Sequence, residues 1–574
     1  MENRQYVENI AQLINRQQRT KFKMTGNNGG LKLVTMNKGL LYPIFCEEVL
    51  QGDTWKVNIK ALIRATTLIK PIFNNMWAQI QCFFVPNRLT YKHWEEVMGE
   101  NKQGPWITNK TTYEVPKLTA PTGGWNEKSL ADMLGVPTKV ENIAISSLYT
   151  KGYAKIWNDW YRDEDRMNFT HITEDETNLN GSNGTNYVTD IELGGCLAPV
   201  AKAHDLFTSS SIEPQKGPNV LLPLGSTAPI IPLEDNNNKR SLIFTNGIKN
   251  YNALWDSINN NFIVGYVDAA RNGYPSYIPN DEYVGSNQNL KFPQPQNPDP
   301  NGKSYPILAI ENLGMQTDLS NANATSINDL RLAIALQQMY ELDALAGTRY
   351  TEIIFSHFGV RSSDARLQRS EYLGGKKVPI NITQVIQSSE SATTPQGNLA
   401  GMSQTWDGDE YFTKSFEEHG ILYIMCCSKG ENIYQQGLPA KFSKFKRTDF
   451  YDPIFANIGM QPIYNKEIYA QGNTEDEEAF GFKEAWTEYR TLEKQVVGEF
   501  RSNSSKTIDY WHIARDFASL PTNNETFIME GQNNLNRALT VDSSQADQFQ
   551  CAFAMDATVT RIMPPHSVPG LKRF

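Results

Sequence analysis

The sequence predicts a large, mainly β protein with helical insertions, and three observations carry that reading. Aromatic residues make up 11% of the 574 residues, 29 prolines and 39 glycines supply frequent turns, and apolar–polar alternation of period two recurs along the chain. Such turn density does not suit a helical bundle. Hydrophobic residues at 40% and charged residues at 20% leave enough apolar mass for a substantial core. The net charge of −9, from 54 Lys and Arg against 63 Asp and Glu, argues against a uniformly basic nucleic-acid-binding protein and leaves room for a local basic patch.

The first 40 residues run against that balance. Arg4, Arg16, Arg19, Lys21, Lys23, Lys32 and Lys38 face only Glu2 and Glu8, a local excess of +5 that leaves the rest of the chain at −14. Two readings stand for this arm: a solvated tail or strap on a neighbouring subunit, or a contact with a phosphate backbone. From residue 41 the pattern turns to strands. Residues 54–62 (TWKVNIKAL) and 75–85 (NMWAQIQCFFV) alternate as half-buried strands do. Residues 89–98 read as a short helix before Gly99. The aromatic cluster IWNDWY at 156–161 is followed by the mixed charge run 162–166, which reads as a solvated corner.

Residues 225–305 hold 15 Asn and 8 Pro, a density expected to exclude long helices and central strands. Tyr251, Trp255, Tyr274, Tyr277 and Tyr283 nevertheless give the segment aromatic mass, so it reads as an ordered, loop-rich surface insertion suited to contact. The clearest helix begins at Ile327, with Ser326 as N-cap and Gly347 as its stop. Its apolar residues Leu330, Ile334, Met339, Leu342 and Leu345 lie near one face. Short β segments follow, among them the apolar run at 421–427, and no repeat of 20–50 residues occurs. The expected organisation is a basic arm at 1–40, a first β part at 41–224, the insertion at 225–305, and a helix with the remaining β part at 306–574.

A catalytic constellation is not apparent. The seven histidines are scattered singly, without HExxH spacing, and there is no GxSxG elbow, phosphate-binding GxxxxGK[ST] loop or GxGxxG. WDGDE at 406–410 clusters three carboxylates but lacks the ligand spacing of a calcium loop. Asp163 with Asp165, or Glu341 with Asp343, would need a defined separation across a bond to serve glycoside hydrolysis, which sequence cannot fix. No metal and no cofactor is expected. The six cysteines include only one close pair, the adjacent Cys426 and Cys427, and read as reduced thiols. The longest fully apolar stretch is far short of a membrane helix, the N-terminus lacks the apolar core of a signal peptide, and a soluble, unexported protein is expected.

Lys441, Lys444, Lys446 and Arg447 interleave with Phe442, Phe445 and Phe450. Cations beside rings bind single-stranded nucleic acid without sequence preference. A twisted strand with its rings in a core and its cations in water fits the same spacing.

Several long stretches stand out in order: PIFCEEVLQG at 43–52 continuing through DTW, CFFVPNRL at 82–89, HDLFT at 204–208 with PQKGP at 214–218, and GTRY at 347–350. Further stretches are HFGV at 357–360, DARLQR at 364–369, EYLGG at 371–375, VPIN at 378–381, NKEIYAQG at 465–472 and MPPHSVPGL at 563–571. Together they resemble the major capsid protein of gokushovirus-type microviruses, small icosahedral single-stranded DNA bacteriophages. The resemblance spans most of 31–574 and weakens across 225–305. It implies an eight-stranded viral jelly roll, a β-sandwich with long loop and helical insertions, whose copies assemble in the host cytoplasm into a T=1 shell around circular single-stranded DNA. It also implies that the insertion forms a threefold protrusion toward a host receptor. Further implied partners are an internal scaffolding protein, a DNA-pilot protein and a small basic DNA-binding protein. An acidic shell protein that holds DNA should place its basic groups inside, so Arg16, Arg19, Lys21 and Lys23 are expected to face the lumen together with the 441–447 cations. The competing class is a β-sandwich protein that binds or hydrolyses glycans on aromatic platforms.

Overall fold

Eight strands frame the protein: β1 Leu31–Met36, β2 Leu41–Val49, β3 Thr54–Ala65, β4 Met76–Pro86, β5 Glu371–Pro379, β6 Thr405–Ser415, β7 Gly420–Gly430 and β8 Phe549–Arg561. The computed structural model describes residues 19–24, 30–104, 111–220, 327–347, 349–391 and 395–564, together with the backbone of strands between 230 and 317. All the pairings among the eight are antiparallel: β1 with β8, β2 with β7, β3 with β6 and β4 with β5. These are the pairings of one long hairpin. Two more, β8 with β3 and β7 with β4, roll that hairpin into two sheets of order β1-β8-β3-β6 and β5-β4-β7-β2. Eight strands so connected make a jelly roll.

Side-chain alternation decides which faces meet. Trp55, Val57 and Ile59 of β3 and Met555, Ala557 and Val559 of β8 are buried from the first sheet, and they share one core cluster with Ile80, Leu422 and Ile424 of the second. Phe84 and Phe416, with ring centroids 4.6 Å apart, close one end. Residues 31–36, read from sequence as part of the arm, are β1 itself. The arm's strand Thr20–Met24 continues along the same edge of β8, pairing with 557–561.

The second sheet is covered on its outer face too. Helix α1, Leu148–Ile156, and the π-helical turn Trp157–Tyr161 lie over it. The Tyr153 hydroxyl donates to the Leu41 carbonyl at 2.7 Å, and the Tyr423 hydroxyl donates to the Tyr149 carbonyl at 2.8 Å. Gly152 makes the close approach workable, since a Cβ there would stand 2.2 Å from the Tyr423 hydroxyl. This cover explains the run at 421–427, since β7 is buried on both faces and needs no polar alternation.

Between β4 and β5 the chain makes a long excursion. Pro218–Gln338 forms one compact unit, and Met1–Gly217 with Met339–Phe574 forms the other. The Pro218–Gln338 unit contains an antiparallel five-stranded sheet in which Asn250–Asp256 and Asn261–Val267 are interior strands. This corrects the expectation that Asn and Pro density excludes central strands there. The prolines cluster at 275–300, and residues 241–267 contain none. The helix α2, Ile327–Ala346, is present, and Gly347 ends it at φ +92°. Its residues Met339, Leu342 and Leu345 are exposed. The helix read over 89–98 shrinks to Trp94–Val97 after the 3₁₀ turn Asn87–Leu89. All six cysteines are free thiols, Cys46 and Cys196 half-buried and the other four buried. Among the described residues no helix is long and apolar enough to cross a membrane.

Candidate nucleic-acid interface

Among the described residues no helix lies over the first sheet, and its outer face is built by parity. In β3 the residues alternate with the core positions, so Lys56, Lys60 and Arg64 point outward and are exposed. Register with β8 places Lys21 opposite Thr560 and Lys23 opposite Thr558, on that same outer side. Leu31, Leu33 and Trp406 complete the face, with Leu33 76% and Trp406 68% exposed. Lys56 pairs with Glu410 at 2.7 Å and Lys60 with Asp556 at 2.6 Å. Lys21, Lys23 and Arg64 form no ion pair among the described residues. The face is therefore cationic and partly apolar, and Arg19 at its margin is also exposed.

Not every cation of the first 40 residues contributes. Lys32 turns inward, its ammonium donating to the Pro43 carbonyl at 3.1 Å and to that of Met133, and burial lowers its pKa. Lys38 is buried against Glu530 at 2.7 Å, and Arg515 bonds the same carboxylate oxygen. Burial opposes ionisation of Glu530, but the two cations outweigh it and hold the carboxyl at about 2. The +5 of the segment thus overstates its surface charge by two, because lysines folded into the core carry the same letter as lysines in solvent. Arg16 lies outside the described residues.

At 440–451 the expected strand is absent. The segment forms short 3₁₀ turns, Ala440–Phe442 and Arg447–Asp449, and the Asp449 carboxylate accepts from the backbone N–H groups of Phe445 and Lys446 at 2.9 and 2.8 Å. Those two donors hold its pKa below the usual range. Phe442, Phe445 and Phe450 face solvent, Phe445 at 83%, so the reading that buried these rings in a core is corrected. Lys441, Lys446 and Arg447 are exposed beside them. Lys444 is not: it pairs with Glu488 at 3.1 Å and lies 3.8 Å from the Tyr489 ring centroid. The turn-rich segment thus exposes three rings and three cations to solvent together.

Other sequence candidates are spoken for within the fold. Asp407 and Asp409 both bond Lys376, and Glu410 takes Lys56. The run at 162–166 is no solvated corner: Arg166 is bound into the structure by Asp163 at 3.3 Å and Asn523 at 2.7 Å, with a side chain 4% exposed. Asp163 and Asp165 serve Arg166 and Lys216, and Asp343 serves His357 at 2.9 Å. Tyr251 and Trp255 lie on the interior strand Asn250–Asp256, opposite Tyr266 and Phe262. Tyr274, Tyr277 and Tyr283 lie outside the described residues. Sequence reading missed Lys56, Lys60 and Arg64, although the alternation of 54–62 already separated two of them from the core side of their strand.

Residues 15–571 match the family model described as capsid protein (F protein). Capsid protein VP1 of Spiroplasma virus 4 is 36% identical over 555 residues, covering 94% of this chain and 93% of that protein. Capsid protein VP1 of Chlamydia phage 1 is 35% identical over 574 residues, with 94% of each chain covered. Capsid protein VP1 of Bdellovibrio phage phiMH2K is 37% identical over 533 residues, with 92% of each covered.

Proposed function

The chain belongs to the capsid protein (F protein) family, and on that premise we propose how it builds a shell and holds a genome. It is a structural protein of the virion. Its copies close into a small icosahedral shell around circular single-stranded DNA, after assembly in the host cytoplasm with an internal scaffolding protein. It acts without catalysis. The cationic outer face of the first sheet is turned to the lumen, where Arg16, Arg19, Lys21 and Lys23, joined by Lys56, Lys60 and Arg64, meet phosphates. Lys441, Lys446 and Arg447 make further phosphate contacts beside the rings of Phe442, Phe445 and Phe450, while Lys444 anchors their turn through Glu488. A DNA-pilot protein and a small basic DNA-binding protein share the interior. The insertion at 225–305, with Tyr251, Trp255, Tyr274, Tyr277 and Tyr283, meets the host receptor.

One observation carries the DNA reading: three cations of the bare sheet face, Lys21, Lys23 and Arg64, have no carboxylate partner among the described residues. The test replaces Arg16, Arg19, Lys21 and Lys23 together with Gln and measures packaged DNA and the salt stability of purified particles. Less DNA and weaker salt resistance are expected; unchanged packaging and salt stability would overturn it. Deleting the tip of the insertion should abolish adsorption and leave particles assembled, and normal adsorption would refute that role.

A further inference from the structure

A cleft of about 890 Å³ opens on the other side of the sandwich, within the size range of small-ligand sites, roughly 300–1,000 Å³. Its floor is the outer face of the second sheet beyond the end of α1, where strand parity presents Trp77, Gln79 and Gln81 of β4, Lys377 of β5 and Lys429 of β7. Its walls come from 162–166, 201–211 and 344–352.

The wall carboxylates are already matched. Asp163 faces Arg166 at 3.3 Å, Asp165 faces Lys216 at 2.6 Å, and Glu164 and Glu352 face Arg349 at 3.7 and 3.5 Å. Three cations of the cleft have no such match: Lys202, Lys377 and Lys429 form no ion pair and donate no side-chain hydrogen bond among the described residues. Lys377 rests on the Trp77 ring, 3.4 Å from its centroid.

Lys202 is the unusual member, being only 4% exposed. Its backbone N–H is fixed by the Ile528 carbonyl at 2.8 Å, and its ammonium lies 3.9 Å from the Phe527 ring centroid. It lines this cleft and also an adjoining cavity of about 630 Å³ that contains Arg515 and Arg537. Burial, with Arg515 and Lys38 nearby, outweighs the attraction of the more distant Glu530 and Asp205 carboxylates and pushes its pKa down to about 7. A buried ammonium with a ring on one side and no protein acceptor is costly, and an anion entering the cleft removes that cost.

We propose that this cleft is a phosphate site, with Lys202 as its inner ligand and Lys377 and Lys429 at its floor. A phosphate offers several acceptor oxygens and up to two negative charges, which suits Lys377, Lys429 and a Lys202 that takes up its proton as the anion enters better than a single carboxylate does. Trp77, Trp160 and Tyr372 line the same cleft, so the volume has room and apolar surface for the rest of a nucleotide. The phosphate is that of a free nucleotide or of inorganic phosphate, because the shell reading above turns the opposite face of the sandwich toward the packaged strand.

The test titrates the full-length chain with inorganic phosphate, thymidine monophosphate and a ten-residue oligothymidylate, following tryptophan fluorescence. Variants are Lys202→Met, the double Lys377→Gln/Lys429→Gln, and the remote surface control Lys117→Gln. Saturable binding that falls at least tenfold in the first two variants and not in the control is expected. Binding of phosphate and the mononucleotide supports the site; binding of the oligomer alone overturns it as a free-phosphate site. Absence of saturable binding by all three probes, or binding indifferent to both variants, overturns the site. The double variant changes only floor side chains, so it keeps the test valid if Lys202→Met fails to fold. Particle assembly by the variants is scored separately, so a failed site with intact DNA-filled particles is distinguished from a failed shell reading.

Discussion

The two sheets of the sandwich share a core and differ on their outer faces. In the second sheet, α1 and the chain around 196–203 cover the strands, and β7 is apolar from Ile421 to Cys427 because both of its faces are buried. In the first sheet β3 and β8 alternate, and the outward positions carry Lys56, Lys60, Arg64 and Thr558. A strand's pattern therefore reports how many of its faces are covered. Among the described residues the open face leaves Lys21, Lys23 and Arg64 without ion pairs, whereas the covered face leaves unmatched lysines only at its uncovered end.

The sharpest way to break this contrast is to place the same charge on each face. Met425→Lys, on the covered face of β7, is expected to cost about 3–5 kcal/mol, because it leaves an uncompensated charge in a closed interior. Leu33→Lys, on the bare face, is expected to stay within about 0.5 kcal/mol. Urea denaturation of both variants measures the difference, and equal losses would erase the distinction between the faces.

The buried Lys38–Glu530–Arg515 cluster should behave like the covered face. Glu530→Gln leaves two cations facing each other and is expected to cost about 3 kcal/mol. The folded pKa of Glu530, about 2, lies below its ordinary 4.5. Its contribution is thus complete above pH 4.5 and fades as pH falls toward 2. Denaturation midpoints at pH 6 and pH 3 should converge between wild type and Glu530→Gln as the acid end is approached; parallel curves would show that the carboxylate is not stabilised.

Smaller effects are expected where side chains are exposed. Phe445→Ala should leave the melting temperature unchanged and weaken oligothymidylate binding by about 1–3 kcal/mol, the usual contribution of one stacked base. Lys21→Gln, Lys23→Gln and Arg64→Gln combined should leave stability nearly unaltered. They should lower the salt dependence of DNA binding by about 2 in slope, from roughly 0.7 per lost phosphate contact. An unchanged slope would remove these cations from the interface.

Much of this architecture was legible before any coordinates. Alternation at 54–62 and 75–85 located β3 and β4, and the periodic segment after Ser326 located α2, since period two and period 3.6 leave their mark in local spacing. The 440–451 segment was legible only as composition. Its Phe and Lys spacing fits a strand as well as a turn, and the Asp449 carboxylate, capping two backbone N–H groups, fixes the turn that exposes the rings. The run at 162–166 was misread for a related reason: mixed charges suit water, but here they match one another and residues more than 40 positions away.

The sequence by itself determined a β framework, its strand periods, the turn chemistry around Gly347 and, through long collinear matches, the capsid family. Those signals are local or cumulative, so they survive in one dimension. Only the tertiary structure decided that Lys32 and Lys38 belong to the interior, that Lys444 is an anchor, and that Lys202 is buried without an ion pair among the described residues. Whether a lysine meets water, a carboxylate 492 residues away, or an aromatic ring depends on which segments the rolled hairpin brings together, and no local pattern carries that information.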